Sequence, residues 1–285
     1  MLLLFGACRP TPPGSERRAA AETSARAPAS AVSETATPDA SADVDAGEAG
    51  TVRLEPLTAK QPLVELEVPK FRPATVSLPL GATEKRPVVV ALHGNYDRPE
   101  WQCEVMREIT RGFPFILCPR GIPRSDAPKS EDRWEYGGLD KTDSELSAAL
   151  DALQSRYSDW VDGEHVVYTG FSLGAILGKS IVTARAGTFS RAVFSEGGFE
   201  GWSAARAKKF AEAGVGRVVF ACGQAACVQS SKAAQRLLEA QGIPTHVVSG
   251  GNAGHTYDGP VARAISREWA WLVEGDTRWA GAGLQ

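Results

Sequence analysis

The chain has 285 residues, 43% hydrophobic and 23% charged, with a formal net charge of -3. That apolar content suffices for a substantial core, and the length allows one large domain or two small ones. Without a basic excess there is no electrostatic footprint for nucleic acid, which is excluded as a partner, and no run approaches the ~18 apolar residues of a membrane-spanning helix.

The chain opens Met1-Leu2-Leu3-Leu4-Phe5-Gly6-Ala7-Cys8. This resembles the end of a bacterial lipoprotein signal, in which Gly-Ala precedes a cysteine that becomes lipidated. The resemblance implies an exported protein, anchored to a membrane through lipid on Cys8 or released to the periplasm or exterior. The apolar run is shorter than a signal's hydrophobic region and no positive residue precedes it. The alternatives are therefore a start upstream of Met1, or an accidental likeness with a free Cys8 in a disordered tail. From Arg9 to about Gly50 the chain is dominated by Ala, Pro, Ser, Thr, Glu and Asp. Such a stretch buries too little surface to offset its ordering entropy. Residues 9–62 are expected to form a disordered tether, followed by a folded domain over 63–274 and a tail at 275–285.

Two short alternating stretches at 63–68 and 74–78, broken by Pro69, Pro73 and Pro79, predict an antiparallel pair at a sheet edge, where proline is tolerated. The run Pro87-Val88-Val89-Val90-Ala91-Leu92 is apolar throughout and ends in His93-Gly94; continuous hydrophobicity marks a strand covered on both faces. Helical patterning follows at 101–110, then a strand at 113–118 and a polar loop at 120–138 carrying Trp134 and Tyr136. In a helix at 142–157, Leu146, Leu150 and Leu153 recur at helical spacing. Strands at 165–169, 192–195, 217–222 and 245–248 then alternate with helices at 173–186, 204–213, 231–240 and 261–273, the third stopped by Gly242 and Pro244. This alternation predicts an α/β fold class, a mostly parallel central sheet flanked by helices in one folded domain.

The cysteines are Cys8, Cys103, Cys118, Cys222 and Cys227. With Cys8 lipidated, four remain in an oxidising compartment, and three pairings are open. The local pairs are favoured: Cys103 with Cys118, tying a helix to the next strand, and Cys222 with Cys227, closing a short loop. Reduced cysteines in a cytosolic protein are the alternative. No Cys-x-x-Cys pair has zinc spacing, and His93, His165, His246 and His255 are scattered, so neither a metal nor another cofactor is expected.

Between the strand at 165–169 and the helix at 173–186 lies Gly170-Phe171-Ser172-Leu173-Gly174. Gly-x-Ser-x-Gly in a strand-to-helix turn forms a nucleophile elbow, where a strained backbone pushes the Ser hydroxyl out above the sheet and side chains at the glycines would collide. A serine hydroxyl needs a base within hydrogen-bond reach, and histidine suits that task near neutral pH. His255, in the flexible loop Gly250-Gly251-Asn252-Ala253-Gly254-His255, is the candidate; His246 and His165 fall in or beside strands and read as structural.

This order of parts resembles the α/β-hydrolase family over nearly all of the chain from Leu63 to Glu274. The likeness is carried by Leu92-His93-Gly94-Asn95, by the Ser172 elbow and by Gly254-His255, and is nearest to small secreted esterases of the dienelactone hydrolase or polyhydroxyalkanoate depolymerase type. It implies His255 as base after the last strand and an oxyanion hole from the backbone N–H groups of Leu173 and Asn95, with His93 ordering that loop. The family order of nucleophile, acid and histidine places the acid between Ser172 and His255. That interval contains no Asp and only Glu196, Glu200, Glu212 and Glu239, the last two within helices. The usual acid position, past Cys222, reads Gly223-Gln224-Ala225-Ala226-Cys227 without a carboxylate. Glu196, ending the neighbouring strand, is the expected acid; Glu200 and then Asp258 rank behind it, and a dyad helped by Gln224 stays open.

The expected function is serine hydrolysis of a small-molecule ester or other acyl substrate through an acyl-enzyme, with Trp101 and Trp134 as candidate cleft-lining aromatics. A peptidase or acyltransferase on the same triad, and a non-catalytic surface protein retaining the fold, are the alternatives.

Overall fold

The structure, a computed structural model, describes residues 53–284. Its strands are β1 (Leu63–Leu66), β2 (Ala74–Ser77), β3 (Arg86–Leu92), β4 (Phe115–Cys118), β5 (Ile122–Pro123), β6 (Trp134–Glu135), β7 (Val161–Phe171), β8 (Phe189–Ser195), β9 (Arg217–Cys222) and β10 (Thr245–Ser249). Helix α1 (Pro99–Ile109) follows β3 and α2 (Leu139–Arg156) precedes β7; α3 (Leu173–Ala184), α4 (Ala204–Glu212), α5 (Ala225–Glu239) and α6 (Gly259–Leu272) follow β7, β8, β9 and β10 in turn. Eight strands form one sheet in the order β1-β2-β4-β3-β7-β8-β9-β10. The β1–β2 and β2–β4 pairs are antiparallel and the remainder parallel, while β5 and β6 make a separate small hairpin inside the expected polar loop.

The run from Val88 to Leu92 is buried on both sides because alternate residues feed two cores. Val88, Val90 and Leu92 pack with Leu146 and Leu153 of α2, Ile181 of α3 and Phe210 of α4. Val89 and Ala91 pack with Met106 and Ile109 of α1 and Ile265 and Trp269 of α6. Each fully buried large side chain contributes about 1.5–3 kcal/mol, so this two-sided burial holds the carboxyl ends of β3, β7, β8 and β9 in fixed register where the functional loops leave.

Both local disulfides are present, Cys103–Cys118 between α1 and the end of β4, and Cys222–Cys227. They fit an extracellular or periplasmic protein. Helix α5 begins at Ala225 rather than at 231, because Ala-Ala-Cys-Val is compatible with helix from an extended Gln224. The second bridge therefore ties a strand end to a first helical turn instead of closing an open loop.

Two boundaries are corrected. The chain already packs on the domain before residue 63: Leu57 is buried, the N–H groups of Leu54 and Leu57 donate to Thr83 and Ala82, and Trp160 Nε1 donates to Glu55. Beyond 274, a 3-10 turn at Thr277–Trp279 buries Trp279 against Trp269, since an indole that size gains more from the α1–α6 face than from water. The signal-like segment, Cys8 and the tether up to residue 52 lie outside the described residues. No helix among the described residues is long and apolar enough to cross a membrane.

Candidate active site

Ser172 is the single residue between β7 and α3, with φ 48° and ψ -111°. A non-glycine residue in that region is strained, and such strain persists only where its surroundings over-determine it. Here they do. A Cβ on Gly174 would lie 2.2 Å from the Leu92 carbonyl oxygen, and one on Gly170 would lie 2.7 Å from the Ala175 nitrogen. The turn is also held by Ser172 N–H on Ser195 O (2.9 Å) and Gly174 N–H on His93 O (3.2 Å).

The structure brings Ser172, His255 and Glu196 together. His255 Nε2 lies 2.9 Å from Ser172 Oγ, and its Nδ1 lies 3.1 Å from Glu196 Oε2. The histidine is half-exposed, whereas the Glu196 side chain is only 3% exposed. That buried carboxylate is satisfied: Oε1 accepts the N–H groups of Gly223 (2.6 Å) and Gln224 (3.1 Å), and Oε2 also accepts Gln224 Nε2 (3.0 Å). Gln224 thus donates to the Glu196 carboxylate from both its backbone and its side chain. Glu196 itself has φ 50°, a second strained non-glycine residue at a strand end of this site.

Among the described residues the backbone N–H groups of Leu173, directly after Ser172, and of Asn95, in the loop after β3, donate to no carbonyl. The first opens α3, where helix geometry leaves N–H groups free. The loop carrying the second is pinned from behind: Gly94 N–H donates to Asp97 Oδ2 (3.2 Å), Tyr96 N–H to Trp134 O (3.0 Å) and His93 N–H to the Tyr136 hydroxyl (3.1 Å). The His93 ring stacks on Tyr136 and lies between the carbonyls of Gly94 and Arg120. Burial pushes the His93 pKa down against the pull of those carbonyls and of Asp97. Burial likewise pushes the Asp97 carboxyl up, and burial plus the Asp97 charge push up the phenol of Tyr257, which donates to Asp97 Oδ1 at 3.3 Å.

A cleft of about 480 Å³ opens beside His255, lined by Asn95, Tyr96, Trp101, Phe171 and Tyr257 among others. Trp101 stands there, 40% exposed. Trp134 does not: it is buried, with the guanidinium groups of Arg72 and Arg120 5.3 and 5.2 Å from its ring centroid, because its β6 backbone is what braces the Tyr96–Asp97 turn. Glu200 is exposed, and its backbone carbonyl accepts from Lys179 Nζ. Asp258 stands at the start of α6 and accepts from Thr256. Glu212 and Glu239 end α4 and α5. Asp97 and Tyr257 escaped the sequence reading and Tyr136 had no role in it, since the pairs Tyr257–Asp97 and His93–Tyr136 lie 160 and 43 residues apart and no local period marks them. A larger cavity, about 840 Å³, lies between the segment after β1 and α2 and touches none of these loops.

No protein-family model and no curated protein sequence matches the chain. Solved structures do. TT1662 from Thermus thermophilus is similar at 15% identity over 75% of this chain and 98% of that one, TM-score 0.55. A dienelactone hydrolase from Anabaena variabilis is similar at 14% identity over 77% and 97%, TM-score 0.53, and the esterase PE8 at 17% over 73% and 100%, TM-score 0.53. At such identities the likeness shows the fold, and the chain has the α/β-hydrolase fold.

Proposed function

We propose that the protein is a serine hydrolase, a carboxylic ester hydrolase that acts on a small-molecule ester through an acyl-enzyme. The observation that carries this reading is the unbroken chain of hydrogen bonds from Ser172 Oγ through the His255 ring to a buried, fully bonded Glu196 carboxylate. His255 Nε2 takes the Ser172 proton as Oγ attacks the ester carbonyl, and the carboxylate stabilises the imidazolium and holds its tautomer. The N–H groups of Leu173 and Asn95 receive the developing oxyanion. His255 then protonates the leaving alcohol, and a water activated by the same imidazole releases the acid.

The absence of a carboxylate at residues 223–227 speaks for a non-catalytic protein that retains the fold. Glu196 meets that objection, because its oxygens occupy the space in front of Gly223 and Gln224. Two of the similar structures being a dienelactone hydrolase and an esterase accords with ester chemistry. Export is proposed with it, supported by the two disulfides, with lipid on Cys8 as the anchor.

Labelling by a fluorophosphonate probe, together with turnover of a p-nitrophenyl ester series, tests the reading. Labelling and turnover that vanish in Ser172→Ala and His255→Ala are the expected result. An oxidised, folded chain that neither labels nor turns over any ester overturns it.

A further inference from the structure

Residues 222–224 hold two members of the proposed triad at once. Their N–H side grips the acid, with Gly223 and Gln224 both donating to Glu196 Oε1. Their carbonyl side grips the loop that carries the base: Cys222 O accepts Gly250 N–H at 2.7 Å, and Gly223 O accepts Gly254 N–H at 3.0 Å. The approach is backbone to backbone, for a Cβ on Gly223 would lie 2.3 Å from the Gly254 carbonyl oxygen. One short segment thus sets the distance between Glu196 and His255.

That segment is closed by the Cys222–Cys227 disulfide, which joins the last residue of β9 to the first turn of α5. Cys222 and Cys227 are both buried, and a Glu196 carboxylate oxygen and the two sulfurs lie within 4.8 Å of one another. With the sulfurs bonded to each other the cluster offers no thiolate to a metal ion. Reduction changes what faces the carboxylate. Two thiols move apart to non-bonded contact, roughly 3.5–4.0 Å, inside a packed interior that transmits the displacement. The Gly223–Gln224 turn lies between the two cysteines, so the displacement reaches the N–H groups that donate to Glu196 Oε1.

We propose that the Cys222–Cys227 disulfide is a positioning element for the Glu196–His255 pair, and that its reduction uncouples the acid from the base and switches turnover off. The inference rests on the hydrolase reading above. Its consequence is a compartment check: the chain becomes competent only where this bridge forms. An external phosphine reverses it with balanced chemistry, breaking the S–S bond to give two thiols while the phosphine becomes its oxide with oxygen from water.

The test compares the oxidised full chain with Cys222→Ala/Cys227→Ala, using Cys103→Ala/Cys118→Ala as the control for losing a buried bridge elsewhere. The expected result is a fall in kcat of about 10²-fold, the loss that a misplacement of about 1 Å produces, with KM within about threefold. The control pair should show no such fall in kcat. An unchanged kcat, or a loss that appears in KM rather than in kcat, overturns the proposal. If the parent chain itself fails to label or turn over, the hydrolase reading fails instead. Should the Ala pair not fold, the wild-type chain is titrated with tris(carboxyethyl)phosphine, and each bridge is followed by mass spectrometry alongside activity. Loss that tracks the 222–227 bridge and returns on reoxidation supports the proposal; activity retained with that bridge reduced overturns it.

Discussion

Glu196 and Gly223 meet at 2.6 Å although they end neighbouring strands, Glu196 following β8 and Gly223 following β9. The carboxylate comes from one strand end, and the N–H groups that hold it come from the position where the sequence reading sought the carboxylate itself. This exchange lets an interval without any Asp still present a buried acid to His255.

Replacing Glu196 by Gln should therefore cost far more than replacing Glu200. The amide would turn an N–H toward His255 Nδ1 or toward the Gly223 and Gln224 donors, either reversing the imidazole tautomer or leaving buried donors opposed. We expect kcat to fall by about 10³-fold in Glu196→Gln, and to stay within about twofold in the exposed Glu200→Gln. Steady-state kinetics on one p-nitrophenyl ester checks both, and equal small losses would point to a dyad.

Ser172→Ala should remove at least about 10⁴-fold of kcat while the fold survives. Among the described residues its hydroxyl bonds to His255 alone, so alanine removes that bond and leaves the backbone in place. Circular dichroism and thermal melting on the same preparation separate lost chemistry from lost structure; residual turnover near the parent level would refute Ser172 as nucleophile.

Gly174→Ala tests the elbow mechanically. Alanine in a helix interior gains about 1 kcal/mol over glycine, but here the new Cβ meets the Leu92 carbonyl oxygen at 2.2 Å. Backbone cannot swing aside as a side-chain tip can, so the clash should win, with net destabilisation of about 2 kcal/mol or more. A urea midpoint at or above the parent's would show that the turn tolerates a side chain.

His93 gives stability a pH dependence whose sign follows from burial. Its folded pKa is lowered from 6.5, so its contribution is fully present above that unfolded value and is lost as pH falls through the folded one. The urea midpoint should drop between about pH 7 and 5.5, and drop less steeply in His93→Gln. Asp97 is shifted upward, and its contribution runs the other way, being lost as pH rises. The difference between the two chains isolates the histidine, and parallel slopes would remove His93 as the cause.

What the sequence determined was what depends on neighbours along the chain. Continuous apolar runs marked strands buried on both faces, Gly170 and Gly174 marked the tight turn around Ser172, and the short spacings of the cysteines pointed to the bridges that form. Its errors fell where distant packing overrides local composition. Leu57 and Trp279 are drawn onto the domain from segments read as tether and tail, and Trp134 braces a loop by its backbone instead of lining the cleft. The sequence could rank Glu196 above Glu200 by its place at a strand end. Only the sheet order, which sets β9 beside β8, decided that Gly223 and Gln224 would satisfy its carboxylate and that Cys222 would stand beside both Glu196 and the loop of His255. A charge is stable in a protein interior only when donors converge on it, and that convergence is a property of strands meeting in space.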